Sequence, residues 1–201
     1  TEGSVWGVVP NGIDRKDYFV DPAIERQGIG ALYNGHPNKA PADMRQVLEA
    51  CHRQWPGVPQ YVFSTELRPK GLEHVSYHRL PSVAQARELY NQSKVWLLTS
   101  NTEGLPGVVL EAMACGCVVV STDNDGSLEI LRHDQNGLIG KRGNIEEMTQ
   151  LVGRIVNDEQ LRVRLQRESL ITIDRFTWDA AVEKMERFLS DVPALCVREC
   201  S

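Results

Sequence analysis

Between residues 28 and 145 the sequence alternates between short β-rich runs and longer runs with helical spacing. The β-rich runs are GIGALY (28–33), QYVFS (60–64), HVSYH (74–78), KVWLLTS (94–100), CVVVS (117–121) and NGLIG (136–140). Parallel strands are joined through crossover helices, so this order predicts a doubly wound α/β fold with a mostly parallel sheet. The run CVVVS is apolar at nearly every position, which is typical of a strand covered on both faces.

The segments between these runs carry helix signals. Residues 42–55 place Met44, Val47, Leu48 and Cys51 at helical spacing, and Ser82 is a good N-cap for a second helix. Pro106 suits a first helical turn and Gly116 suits a helix end, so a short helix is expected between them. Further helices are predicted at SLEILRH (127–133), 144–158, 159–171 and 177–189.

Composition narrows the class of protein. The chain has 201 residues, of which 41% are apolar and 24% charged, with a net charge of −5. This is typical of one globular domain and argues against a nucleic-acid partner, which would favour a basic face. We expect a linker or lead-in segment at 1–27, the α/β domain at 28–190 and a tail at 191–201.

The five cysteines favour a reducing compartment. Their number is odd and their spacing matches no common disulfide framework, and Cys115 and Cys117 lie in an apolar stretch where a thiol packs like alanine. Reduced thiols predict a cytoplasmic protein.

In a doubly wound fold the ligand crevice lies at the carboxyl ends of the strands. The loop TSNTEGLPGVVLE (99–111) follows one strand and opens a helix, where free N–H groups and the helix dipole favour an anion. Pro106 has no N–H. The predicted donors are therefore the amides of Gly104, Leu105, Gly107 and Val108.

Two glutamates flank this predicted anion site. Glu111 lies about 7.5 Å along the helix from Pro106, too far to meet a phosphate but well placed for the vicinal hydroxyls of a sugar. Glu103 precedes the helix and can contact hydroxyls on the other side. The alternative is that both are exposed charges, although the apolar neighbours of Glu111 in VVLEAMACG indicate that its carboxylate needs a partner.

The segment TEGLPGVVLEAMACG (102–116) resembles the signature of retaining, nucleotide-sugar-dependent glycosyltransferases of the GT-B fold, including two glutamates separated by seven residues. The resemblance continues in order over about residues 5–190. It includes VVPNGID (8–14), GIGALYNGHPNKAP (28–41), VSYHRLP (75–81), VVVSTDNDGSLEIL (118–131) and FTWDAAVEKMERFL (176–189). It implies a Rossmann-like donor-binding half, C-terminal in such enzymes.

The resemblance also implies residue roles. Glu111 would bind the nucleotide ribose, Glu103 would lie by the donor sugar, and the amides of Gly104 and Leu105 would hold the diphosphate. Lys39 would stabilise the charge of the leaving diphosphate.

The loop after the first strand departs from the family pattern. The family has an arginine after the glycine, whereas here Gly35 is followed by His36 and the loop is shorter. Histidine lacks the permanent charge of arginine, and Arg68 or Lys70 on the next loop can compensate.

The expected reaction transfers a sugar from a nucleoside-diphosphate sugar to a glycan or glycolipid hydroxyl. No cofactor and no metal are expected, because basic side chains and the helix terminus stabilise the leaving group. Asp123-Asn124-Asp125 resembles a D-x-D metal motif of another fold, but a turn is favoured.

Two domains need about 300 residues, so we expect a fragment that lacks an N-terminal acceptor domain and is inactive alone. The full-length protein is expected in the cytoplasm, at the inner face of the membrane.

Two alternatives remain open from sequence. The same crevice would serve an epimerase or phosphorylase built on this two-domain plan. The His36 departure also fits a non-catalytic module that retains the fold and acts through protein contacts.

Overall fold

The computed structural model describes residues 8–191 and contains a parallel sheet of six strands. The strands are β1 (Gly28–Leu32), β2 (Gln60–Ser64), β3 (Ser76–Arg79), β4 (Ser93–Leu98), β5 (Val118–Thr122) and β6 (Leu138–Gly140). Their order across the sheet is β3-β2-β1-β4-β5-β6, and every neighbouring pair is parallel. The predicted doubly wound α/β fold is confirmed.

Seven α-helices lie within the described residues, and most of them pack on the sheet. They are α1 (Pro41–Gln54), α2 (Val83–Gln92), α3 (Gly107–Ala114), α4 (Asp125–Ile130), α5 (Ile145–Asn157), α6 (Glu159–Ile173) and α7 (Trp178–Asp191). Ser82 caps α2 as predicted, in a capping box with Gln85. Gly116 has a φ of 82°, a left-handed conformation that favours glycine and ends α3.

The sheet separates two hydrophobic clusters. Val118 and Val120 of β5 belong to the cluster that includes side chains of α1, α5 and α6. Cys117 and Val119 belong to the opposite cluster, which includes side chains of α2 and α3. Successive residues of a strand point to opposite faces, which explains why this strand is apolar throughout.

Residues 8–27, called the strap here, lie against the domain. The N–H of Ile13 donates to the carbonyl of Phe176 at 2.7 Å, and the Ile13 side chain is buried. The Arg26 guanidinium donates to carbonyls of Tyr90, Ser93 and Cys115 and to the amide oxygen of Asn91. The later part of the segment predicted as a linker is thus packed on α2 and α3, and its Ile13 pairs with the turn before α7.

The strand order creates one switch point beside β1. The helix after β1 packs on one face of the sheet, and α3, which follows the adjacent β4, packs on the other. Chains that diverge in this way leave a crevice at the carboxyl ends of the two strands.

Two further sequence predictions concern cysteines and membranes. Cys51, Cys115 and Cys117 are buried and free, whereas Cys196 and Cys200 lie outside the described residues. Among the helices of residues 8–191, none is long and apolar enough to cross a membrane.

Candidate functional site

The loops that follow β1 and β4 meet at the switch point. The N–H of Asn101 donates to the carbonyl of Asn38 at 2.7 Å, and the Thr99 hydroxyl lies 3.3 Å from the carbonyl oxygens of Lys39 and Ala40. A 3₁₀ turn at Pro37–Lys39 gives the first loop its shape. These bonds join the two predicted ligand-binding loops into one wall of the crevice.

Lys39 and Glu103 form an ion pair in this crevice. The Lys39 Nζ lies 2.8 Å and 2.7 Å from the two carboxylate oxygens of Glu103. The Glu103 side chain is only 9% exposed, and the Lys39 side chain 34%. A cavity of about 100 Å³ adjoins the pair, lined by Leu32, Lys39, Leu98, Thr99, Ser100, Glu103, Pro106, Gly107 and Val108. The structure therefore brings the two predicted catalytic residues together.

The N-terminus of α3 faces the same cavity. Pro106 is the N-cap, not a first-turn residue, and its carbonyl accepts from the N–H of Val109 at 3.0 Å. The predicted donors are the backbone N–H groups of Gly104, Leu105, Gly107 and Val108. None of them bonds to an acceptor within residues 8–191. These four N–H groups remain available to an anion.

Gly35 and His36 already have partners within the protein. The N–H of Gly35 donates to Oε1 of Glu66 at 2.9 Å, and Nδ1 of His36 accepts the N–H of Asn38 at 3.2 Å. Sequence reasoning did not single out Glu66, which lies on the loop after β2. A carboxylate at this position adds negative charge beside the predicted diphosphate site.

The proposed compensating side chains lie on the same loop as Glu66. The Arg68 guanidinium stacks over the Tyr77 ring, 5.5 Å from its centroid. The Tyr77 hydroxyl in turn donates to the carbonyl of Glu66 at 3.1 Å. The charge of Arg68 therefore lies on the neighbouring loop, held in place by an aromatic ring.

Glu111 has the partner that its apolar surroundings require. The hydroxyl of Tyr90 donates to Oε2 of Glu111 at 2.6 Å. Burial raises the pKa of the Glu111 carboxyl, and hydrogen bonding by Tyr90 and Tyr18 counteracts part of this effect. A Cβ built on Gly107 would lie 4.0 Å from Oε1, so this second oxygen is directed toward the start of α3.

The Asp123-Asn124-Asp125 segment is a bend that leads directly into α4, of which Asp125 is the first residue. The Asn124 side chain caps α4 by accepting the N–H of Ser127 at 2.9 Å, and Asp123 pairs with Arg142 at 3.0 Å. Across residues 8–191 no group of three or more His, Cys, Asp or Glu is arranged to hold a metal ion.

Comparisons with known proteins show the family to which the chain belongs. The family model described as "Glycosyl transferases group 1" matches residues 66–172. "Uncharacterized glycosyltransferase MJ1178" of Methanocaldococcus jannaschii is 26% identical over 197 residues, 92% of this chain and 54% of the relative. A Campylobacter jejuni relative, "N,N'-diacetylbacillosaminyl-diphospho-undecaprenol alpha-1,3-N-acetylgalactosaminyltransferase", is 33% identical over 88 residues, 44% of this chain and 23% of that protein.

A solved structure shares the fold. The crystal structure of Anabaena Alr3699/HepE in complex with UDP-glucose superposes with a TM-score of 0.79 at 19% identity, covering 92% of this chain and 57% of that one. The chain spans about half of the length of the Methanocaldococcus relative and about a quarter of the length of the Campylobacter relative.

Proposed function

Because this chain belongs to the group 1 glycosyl transferases, we propose that it is the donor-binding half of a retaining enzyme. That enzyme transfers a sugar from a nucleoside-diphosphate sugar to an acceptor hydroxyl. One observation carries the proposal: Lys39 and Glu103 converge at the switch point beside the unpaired amides at the N-terminus of α3. A cation and free N–H groups on one crevice suit a diphosphate.

In this proposal, different residues bind different groups of the donor. The amides of Gly104, Leu105, Gly107 and Val108 hold the diphosphate, and Lys39 neutralises the charge that develops on it as the glycosidic bond breaks. Glu103 accepts hydrogen bonds from hydroxyls of the donor sugar, and Glu111 accepts them from the ribose. No metal takes part in this scheme.

Lys39 must exchange partners when the donor binds. In the structure its ammonium group is neutralised by Glu103. The incoming diphosphate carries more negative charge than one carboxylate, so it competes for Lys39 and releases Glu103 to the sugar. Gly35 and His36 border the diphosphate, and release of the Gly35 amide from Glu66 would add one more donor.

The acceptor site belongs to a second domain in this proposal. The chain spans only about half of the length of the Methanocaldococcus jannaschii relative, which leaves room for such a domain in the longer protein. The exposed apolar side chains of α7 support a contact with that domain: Trp178, Val182, Met185 and Leu189 are 46–65% exposed. We place the acceptor among glycans or glycolipids, and the full-length enzyme in the cytoplasm at the inner membrane face. The name of the Campylobacter relative includes a diphospho-undecaprenol, which supports a lipid-linked acceptor.

Isothermal titration calorimetry of this chain with UDP, GDP and dTDP tests the donor site. We expect one of the three to bind, UDP being the first probe because of the UDP-glucose complex of the Anabaena protein. No binding by any of them at millimolar concentration would contradict the donor-site proposal and favour a non-catalytic module.

The stereochemical part needs the full-length enzyme. We expect an α-linked donor to give an α-linked first product, measured by NMR before any equilibration. Inversion at the anomeric carbon would overturn the retaining mechanism without affecting the donor site. A free sugar epimer as the product would favour the epimerase alternative.

A further inference from the structure

Glu111 is hydrogen-bonded by one tyrosine, and a second tyrosine from another part of the chain packs against the first. Tyr90 lies near the end of α2, and Tyr18 lies on the strap. Their rings pack edge to face, with centroids 6.1 Å apart and planes at 72°. The carboxylate of Glu111 therefore bonds to a phenol that the strap covers with a second aromatic ring, where α2, α3 and the strap converge.

Tyr90 is fixed by aromatic packing. Its side chain is fully buried, and its ring centroid lies 4.2 Å from that of Trp96 and 5.6 Å from that of Phe63. A ring packed on several sides has no alternative rotamer of similar energy, so its hydroxyl has one direction. That direction leads to Oε2 of Glu111, at 2.6 Å.

Tyr18 is held by the strap around it. The N–H of Asp21 donates to the side-chain oxygen of Asn91 at 2.8 Å, and the Asn91 amide donates to the carbonyl of Phe19 at 3.0 Å. Arg26 bonds the C-terminal ends of α2 and α3. These contacts, which span 64 to 89 residues of sequence, seat Tyr18 against the tyrosine that binds Glu111.

The two carboxylate oxygens of Glu111 consequently have different surroundings. Oε2 is turned to the buried Tyr90, and Oε1 is turned toward Gly107 at the start of α3. We propose that Tyr90 and Tyr18 are positioning residues that hold Glu111 with Oε1 presented to the ribose hydroxyls of the donor. This inference rests on the proposed function, and it assigns to the strap a role in donor recognition.

The two tyrosines also affect the protonation of Glu111. Hydrogen bonding from the phenols lowers the pKa of a carboxyl that burial raises. Removing a phenol hydroxyl raises that pKa further, so a larger fraction of Glu111 is protonated on the acid side. A protonated carboxyl accepts ribose hydroxyls less well. The acid limb of donor binding is therefore expected to move to higher pH in the variants.

The test uses Tyr90→Phe and Tyr18→Phe in this chain, with Tyr61→Phe as the matched control. Tyr61 lies on β2 and is half-buried, and its hydroxyl bonds to no group among residues 8–191. Calorimetry compares the binding of UDP with that of 2′,3′-dideoxy-UDP, and the binding of GDP with that of its dideoxy analogue. The titrations run from about pH 5 to pH 8, a range that avoids acid unfolding. Thermal unfolding checks that each variant is folded.

We expect wild type and Tyr61→Phe to prefer the ribose form, and Tyr90→Phe to lose about fivefold of that preference. Tyr18→Phe should lose a smaller part, and affinity for the dideoxy analogues should not change. If Tyr90→Phe does not fold, the Tyr18→Phe variant still tests the inference, because Tyr18 is only half-buried. Unchanged ribose preference and an unchanged pH profile in folded variants would overturn the inference. If wild type binds no nucleoside diphosphate, the proposed function itself fails, whereas equal binding of the two forms overturns only the ribose role of Glu111 and this inference with it.

Discussion

At the scale of single residues, the polar groups of the candidate site are paired with one another before a ligand arrives. Lys39 is paired with Glu103, Gly35 with Glu66, and Glu111 with Tyr90. The buried carboxylates of Glu103 and Glu111 thus have partners, and an unpaired buried charge would cost several kcal/mol. The same partners must be exchanged when an anion binds, so substitutions here should separate affinity from stability.

Lys39→Ala is expected to weaken UDP binding about tenfold or more, because a hydrogen bond to a charged group contributes about 1.5–3 kcal/mol. Loss of Lys39 also leaves the Glu103 carboxylate without its cation beside the phosphates. Calorimetry measures the change. Lys94→Ala is the matched control, since Lys94 pairs with Glu159 at 3.7 Å at the start of β4, the opposite edge of the sheet. Equal losses in both variants would contradict the role of Lys39.

Glu111→Gln is expected to stabilise the fold at pH 7 while reducing the preference for ribose. Burial raises the pKa of Glu111, so the folded state binds this proton more tightly than the unfolded state. The stabilisation from this carboxyl is complete below its unfolded pKa and is lost as pH rises through its folded pKa. Glutamine carries no charge to desolvate. The stability gain over wild type should therefore grow with pH across that window.

Urea unfolding of Glu111→Gln at about pH 4 and pH 7 checks this sign. Glu129→Gln, at an exposed position of α4, is the control and should show no such pH-dependent gain. A variant less stable than wild type at pH 7 would indicate that the Tyr90 hydrogen bond outweighs the desolvation of Glu111.

At the scale of elements, the start of α4 supports the loop that carries Glu103. A Cβ built on Gly126 would overlap the carbonyl oxygen of Gly104 and approach that of Glu103 at 2.9 Å. The loop after β4 is therefore packed directly on the first turn of α4, where only glycine fits. This contact sets the position of the amides at the N-terminus of α3.

Gly126→Ala should consequently displace the loop and weaken UDP binding. We expect a loss of about 1–3 kcal/mol in the free energy of unfolding, as for other overpacked positions. Gly57→Ala is the control, since a Cβ at Gly57 meets nothing within 4 Å. Calorimetry and urea unfolding report both effects. Retained UDP affinity in Gly126→Ala would mean that the loop position is unimportant for the ligand.

At the scale of the whole molecule, the strap connects distant parts of the fold. Arg26 satisfies carbonyls at the C-terminal ends of α2 and α3, and Ile13 pairs with Thr177 just before α7. Through Tyr18 the same segment reaches Glu111. A change in the strap is therefore expected to affect global stability and the donor site together.

Arg26→Ala is expected to lower the free energy of unfolding by about 3 kcal/mol or more, because several buried carbonyl groups lose their donor. Arg15→Ala, in the same segment, removes only a more exposed pair with Asp174 and should cost less than about 1 kcal/mol. Urea unfolding curves compare the two variants. Similar small losses would show that the strap contributes little to the fold.

Much of the fold follows from local signals in the sequence. The alternation of β-rich and helical runs, the Ser82 cap and the left-handed Gly116 are properties of neighbouring residues, and all three agree with the structure. The need of Glu111 for a partner also follows from its apolar neighbours. Tyr90 could not be identified in this way, because it lies 21 residues earlier on another helix.

The sequence by itself determined the order of strands and helices, and with it the edge of the sheet where a ligand can bind. Only the tertiary structure decided that Lys39 meets Glu103 across 64 residues, that Glu66 accepts the N–H of Gly35, and that Tyr90 bonds Glu111 while Tyr18 packs against Tyr90. The physical reason is that backbone preferences act over a few residues. Which side chains meet depends on strand order and register, and on how the strap packs onto the finished sheet.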